Sequence, residues 1–147
     1  MDDTNADEKT VPEDSAVVVA DELMLRQINP LFVHDSRVTS QAFKPTLKDG
    51  GHLSVSQESL TTAEDAFELY TNNRQLDSSG VMGVSSSECN ALGLPIHPDP
   101  LLEPVADPAH AYINFSSLGK RPREKASKKL RCRANERGWL FQPAEDS

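Results

Sequence analysis

His34, His52, His97 and His110 are the candidates for acid/base work in this 147-residue chain, and Cys89 and Ser40 the candidates for a nucleophile. No two histidines have the HxxxH or HExxH spacing that places two imidazoles on one helical face for a metal. His97 and Asp99 in "HPDP" share one side of an extended segment, which makes them the nearest approach to a metal pair. We expect neither a metal nor another cofactor. Cys89 follows Glu88 in "SSSECNALG", where a helix N-terminus would activate the thiol. The same spacing equally suits a small buried residue on a short helix. With no GxSxG elbow, no phosphate-binding Gly-rich loop and no GxGxxG, the main hydrolase and nucleotide-binding signatures are missing. Catalytic residues stay unassigned, and the balance favours a protein that is not an enzyme.

A second set consists of Arg26 in "LRQINP", Arg37 and Ser40 in "SRVTSQAF", and His52 and His110 further along. Were they to converge in one cleft, they would form an anion site with a titratable group. The loose spacing of an early Arg before a Ser-bearing segment resembles the nicotinamide-dependent ADP-ribosyltransferases, whose dinucleotide is held by an Arg strand and a following Ser/Thr strand. No later strand here offers the catalytic Glu that this likeness implies. Structural roles compete for the same residues: Arg26 capping a carbonyl or pairing with Asp35, Phe43 anchoring a loop, His110 bonding across a Pro-rich segment.

The strongest charge feature is "KRPREKASKKLRCRANER", nine Lys and Arg against two Glu in a chain of net charge -8. Its cations are Lys120, Arg121, Arg123, Lys125, Lys128, Lys129, Arg131 and Arg133, with Arg137 at the end. Such a face could track phosphates, with counterion release and salt-dependent binding. The alternative is plain helix chemistry, since Lys and Arg form helices well and cations suit a helix C-terminus. No aromatic side chain that could stack on a base occurs before Trp139. Residues 1–22 hold eight acidic groups against Lys9, so the two ends of the chain are electrostatic opposites.

The elements that must position these groups follow from patterning. Hydrophobic residues make up 37% and aromatics 5%, with ten prolines, so we expect one modest core rich in turns rather than a large buried pocket. Residues 1–22 lack a hydrophobic period and read as a disordered acidic tail, and 23–147 as one domain. Ala16–Ile28 suits a strand led by Val17–Val19 or a short helix, ended in either case by Pro30. "HLSVS" alternates as a strand after Gly50 and Gly51. "TTAEDAFELYTNN" carries a capping pattern and an Ala63, Ala66, Phe67, Tyr70 stripe, which predicts a helix. "GVMGVS" predicts a strand, "SSSECNALG" a helical turn or two, and "HAYINF" another strand. Pro95–Pro108 predicts a stiff polyproline-like crossing. Ala126, Leu130 and Ala134 are the buried seam of a final helix that stops at Gly138.

The segments Arg26 to Pro30, Ser40 to Phe43, Leu53 to Val55 and Pro108 to Ala111, with the closing basic helix, resemble a group of short bacterial proteins that share them. The resemblance spans roughly residues 23 to 140, implies a compact bacterial or phage-derived domain and brings no activity with it. The expected fold class is α+β, with a few short strands, one mid-chain helix and a basic C-terminal helix. No apolar run spans a bilayer and the start does not read as a secretory signal, so no membrane partner is expected. Two unpaired thiols suit a reducing cytoplasm. We expect a binding or accessory module for a protein partner. A nucleic-acid-associated protein using the basic helix, or a small enzyme or nucleotide-binding protein with an anion site, are the alternatives.

Overall fold

In the computed structural model, which describes residues 17–18, 21–45 and 50–143, five antiparallel strands form one sheet. The sheet is built from β1 (Leu23–Gln27), β4 (His52–Gln57), β5 (Val81–Ser85), β6 (Ile96–Pro98) and β7 (His110–Asn114), in the order β5-β1-β4-β7-β6. A separate hairpin joins β2 (Val33–His34) to β3 (Arg37–Val38) through Asp35 and Ser36 at φ 52° and 64°. Two positive φ values in a two-residue turn match the right-handed twist of the strands. The chain is an α+β domain.

Period-two alternation sorts the side chains to the two faces. Met24, Leu53, Val55, Met82, Val84, Ile96, Ala111 and Ile113 share the main core with Ala126, Leu130 and Ala134 of α3 (Lys120–Arg137). Phe43, at the end of a 3-10 helix spanning Ser40–Phe43, is fully buried there and anchors the loop before β4. On the opposite face Leu25 and Val81 pack with Ala66 and Phe67 of α1 (Ala63–Glu68). Thr62 caps α1 by accepting the Asp65 N–H at 3.0 Å, and the stripe read from the sequence faces inward. The last turn then widens into a π turn, Leu69–Asn73, closed by the Arg74 N–H on the Leu69 carbonyl at 2.9 Å.

Three segments differ from the sequence reading. Of the two readings of Ala16–Ile28 the strand is realised and the helix is not: the strand is confined to Leu23–Gln27, which pairs along its whole length with β5. The Pro95–Pro108 segment is not a stiff crossing. Ile96–Pro98 is an edge strand on β7, and the chain doubles back through a Leu101–Asp107 bridge. An edge strand makes only one ladder, so Pro98 lacks an N–H at no cost. Val18 is buried with its N–H on the Ile96 carbonyl, and Glu22 accepts the Ser59 N–H, so the domain holds chain that the sequence reading assigned to the tail. Residues 1–16, the bulk of that acidic stretch, lie outside the described residues. Among the described residues no helix is long and apolar enough to cross a membrane.

Candidate functional site

The nine cations of α3 divide by what their side chains touch. Three point to structure. Arg123 Nε donates to the Leu118 carbonyl at 2.9 Å, and Arg131 Nε to the Val38 carbonyl at 2.8 Å, fastening the helix to the β2–β3 hairpin. Arg137 donates to the Gly83 carbonyl at 2.8 Å and forks onto Glu88 at 2.9 and 3.2 Å. Arg133 meets Glu136 at 3.3 Å on the open surface, a pair worth at most about 1 kcal/mol. Lys120, Arg121, Lys125, Lys128 and Lys129 are exposed and have no ion pair among the described residues.

Part of that free charge borders a groove. α2 (Ser86–Ala91) lies beside α3, and a depression of about 930 Å³ runs between them. Lys125, Lys128, Lys129 and Arg133 line one wall, because i, i+3, i+4 and i+8 fall on one helical face. Ala91 and Leu92 supply an apolar floor, with exposed Cys132 between the cations. The far end is clamped by Glu88. Its carboxylate accepts the Ser85 N–H at 2.8 Å in a full capping box and also takes the Arg137 fork. Burial pushes the Glu88 pKa up, but the Arg137 and Ser85 hydrogen bonds and the Arg137 and Arg133 charges outweigh it and hold the group below 4.5. Asp21 lies at the start of α2, also held low by bonds from Ser87 and Ser86 and by the Arg137 charge.

The five residues of the anticipated anion cleft are scattered. Arg26 and His110 do line one cleft, of about 230 Å³, between the sheet and the α1–π helix. Arg37, Ser40 and His52 do not line it. Arg37 is exposed on β3, and Ser40 opens the 3-10 helix rather than a strand, which removes the strand pair of the ADP-ribosyltransferase likeness. Arg26 is held structurally. β1 pairs with β4 only at Met24 and Leu25, and the guanidinium bridges the fork beyond by donating to the Ala42 and Ser54 carbonyls at 2.8 and 2.9 Å. Of the two structural roles open to it, carbonyl capping is realised. His52 stacks on Tyr112, centroids 4.0 Å apart, and His97 stacks on the same ring at 5.1 Å.

His110 bonds across the Pro-rich segment as expected, its Nδ1 2.9 Å from the Asp99 carbonyl and 3.3 Å from the Asp99 carboxylate. A carbonyl only accepts, so Nδ1 carries the proton and Nε2 of the neutral ring is an acceptor. The cleft also contains Gln27, Ser56, Tyr70, Arg74 and Asp107, none of them anticipated. Ser56 was legible as the polar partner of Leu53 and Val55 in an alternating strand. Tyr70 with Arg74 was not, because no sequence pattern announces a π turn.

Cys89 resolves to the buried alternative. It is fully enclosed, and burial first, then the Glu88 charge, pushes the thiol from 9.0 to about 12, so it stays protonated and unreactive. Among the described residues no three His, Cys, Asp or Glu side chains group as metal ligands. No family model matches this chain, and no curated protein or solved structure matches it.

Proposed function

We propose that this chain is a binding module that docks an acidic, amphipathic segment of a protein partner in the α2–α3 groove. The observation that supports this is a row of lysines, Lys125, Lys128 and Lys129, without counter-ions among the described residues, beside the apolar floor of Ala91 and Leu92. An acidic helix or strand would neutralise the wall and bury its own apolar side chains on the floor, the two terms that give on-rate and residence time respectively. A nucleic acid would use the cations but not the floor. The stacked rings that could support bases, His52, Tyr112 and His97, alternate with core residues and so lie on the opposite face of the sheet from α3.

The test is fluorescence anisotropy with two labelled probes, an amphipathic Glu/Leu peptide and a single-stranded oligonucleotide, against the wild type and a Lys125→Glu/Lys128→Glu/Lys129→Glu variant. The expected result is salt-dependent peptide binding that weakens about 10- to 100-fold in the variant, with its circular dichroism unchanged. Oligonucleotide binding that is lost in the variant, with the peptide silent, would replace this reading by phosphate recognition. Silence from both probes would leave the lysines as solvated helix surface and overturn the groove. Neutralising Asp2, Asp3, Asp7, Glu8, Glu13 and Asp14 in the full chain distinguishes a further occupant: tighter peptide binding would identify the chain's own N-terminus as a competitor.

A further inference from the structure

On the face of the sheet away from α3, the cleft under the π turn has the chemistry of a small-molecule site. At about 230 Å³ it is smaller than the ~300–1,000 Å³ of pockets for drug-sized ligands. Its size therefore selects a ligand of metabolite dimensions. Three features set it apart from an ordinary surface dent. First, one end of the Gln27 amide is held by the Ser78 hydroxyl at 2.8 Å, while Nε2 is buried with no hydrogen-bond partner among the described residues. Buried polar atoms are nearly always paired, and because Gln27 lines the cleft, a rotation of its side chain would offer this donor to an acceptor bound there. Second, the helix over the cleft ends in a π turn at Leu69–Asn73, a departure from α geometry that recurs at ligand sites. That turn presents Tyr70 and Arg74 to the cleft, and the Arg74 guanidinium has no ion pair or hydrogen bond among the described residues. Third, His110 is oriented by Asp99 so that Nε2 is its remaining polar atom, which in the neutral ring is an acceptor.

The register separates these groups by charge. Leu25 lies opposite Ser56, and Ser56 opposite His110, so these three define one level across the sheet. Gln27 is further along β1, towards the level of Ser54, where the Ser78 hydroxyl holds it, and Arg74, four residues before Ser78, also lines the cleft. Asp107, a mostly buried residue that lines the cleft, precedes His110 and lies on the other side of that level. One end therefore presents donors and a cation. The other presents a carboxylate, the His110 acceptor and the Ser56 hydroxyl, and Leu25, Ala66, Leu69 and Leu76 form the apolar wall.

We infer that the cleft binds a free α-amino acid with a compact apolar side chain. Its carboxylate pairs with Arg74 and the Gln27 amide, and its ammonium, which has three donors and no acceptor, is received by Asp107, His110 Nε2 and Ser56. Neither a simple anion nor a simple cation satisfies both ends, since each leaves one charged wall unanswered.

Titration calorimetry of the full chain with a panel of amino acids, and with two leucine analogues, tests this. Leucinamide removes the carboxylate and 4-methylpentanoate removes the ammonium. The expected result is binding of leucine, valine or methionine, weakened at least about tenfold in both analogues and in Arg74→Gln and Asp107→Asn, each lost charge pair being worth that much. Gln27→Met adds a readout that misfolding does not imitate: it removes the unpartnered Nε2 together with the Ser78 bond to Oε1, and Ser78 still reaches the Gly80 carbonyl, so the melting temperature should change little while leucine affinity falls at least about tenfold. If 4-methylpentanoate binds as well as leucine, the zwitterion assignment is wrong and the site takes plain carboxylates. Absence of binding by every amino acid at about 10 mM, well above the ~1 mM upper range of metabolite affinities, overturns the site altogether. The lysine variant of α3 leaves this binding intact, because its residues lie across the sheet.

Discussion

The clamp between Arg137 and Glu88 determines whether α2 and α3 hold a fixed spacing, and its energy can be estimated. Arg137→Ala removes a forked ion pair and the donor to the Gly83 carbonyl, at side chains that are 28% and 21% exposed. Fully exposed pairs contribute about 0–1 kcal/mol and hydrogen bonds to charged groups about 1.5–3 kcal/mol, so a mostly shielded fork with a third bond should cost about 2 kcal/mol. For a chain of this size that lowers the melting temperature by roughly 4–8 °C. Glu88→Gln keeps the shape and loses the charge. A double-mutant cycle between the two substitutions, by urea unfolding at neutral pH, should return a coupling of about 1 kcal/mol. The sign with pH follows from the low Glu88 pKa. A carboxylate held below 4.5 contributes stability that is present above 4.5 and lost as pH falls through the folded value. The gap between wild type and Arg137→Ala should therefore narrow in acid to the share of the Gly83 bond, which does not titrate. A coupling below about 0.3 kcal/mol, or a gap that persists unchanged at acid pH, would refute the clamp. Loosening it should also weaken peptide binding in the groove, because Glu88 lines one end.

Other perturbations separate the structural residues from the functional ones. Leu130→Ala, at a fully buried position, should cost about 2–5 kcal/mol in the same assay, whereas Lys129→Ala, one residue away and exposed, should stay within about 0.5 kcal/mol. Gly80→Ala should destabilise by about 2 kcal/mol, because φ is +150° and a Cβ would lie 2.6 Å from the Phe141 carbonyl that Val81 bonds; a smaller loss than about 0.5 kcal/mol would contradict that contact. The Cys89 thiol ionises at 9.0 unfolded and at about 12 folded, so its stabilising share is full below pH 9 and declines as pH rises towards 12. The stability gap between wild type and Cys89→Ala should shift against the wild type by about 1.4 kcal/mol per pH unit across that window, and a thiol reagent should label Cys132 before Cys89.

Local chemistry was legible wherever a residue's partner is near in sequence. Thr62 capping Asp65 satisfies a helix N-terminus three residues away, so the signal and the structure coincide. The Ala126, Leu130 and Ala134 seam and the Leu53/Val55 alternation follow from fixed helical and strand periods. Ile96–Pro98 escaped because proline density argues against strands, and only its place at the sheet edge, next to β7, excuses Pro98 from donating. The basic run was legible as charge. Which cations are free was not, since Arg131 and Arg137 are fastened to Val38 and Gly83, distant positions that only packing brings close.

From sequence alone came the α+β class, the seam of the last helix and the opposed charges of the two ends. Each depends on spacing along the chain, which secondary structure converts into a face by a constant rotation per residue. The two candidate sites belong to the tertiary structure. The groove needs α2 laid against α3, and the cleft needs β1 to part from β4 beneath a π turn, so that Gln27, Arg74 and His110 surround one space. Such meetings are set by strand register and helix packing, which sum many weak contacts over the whole chain and leave no short signature in any one stretch of it.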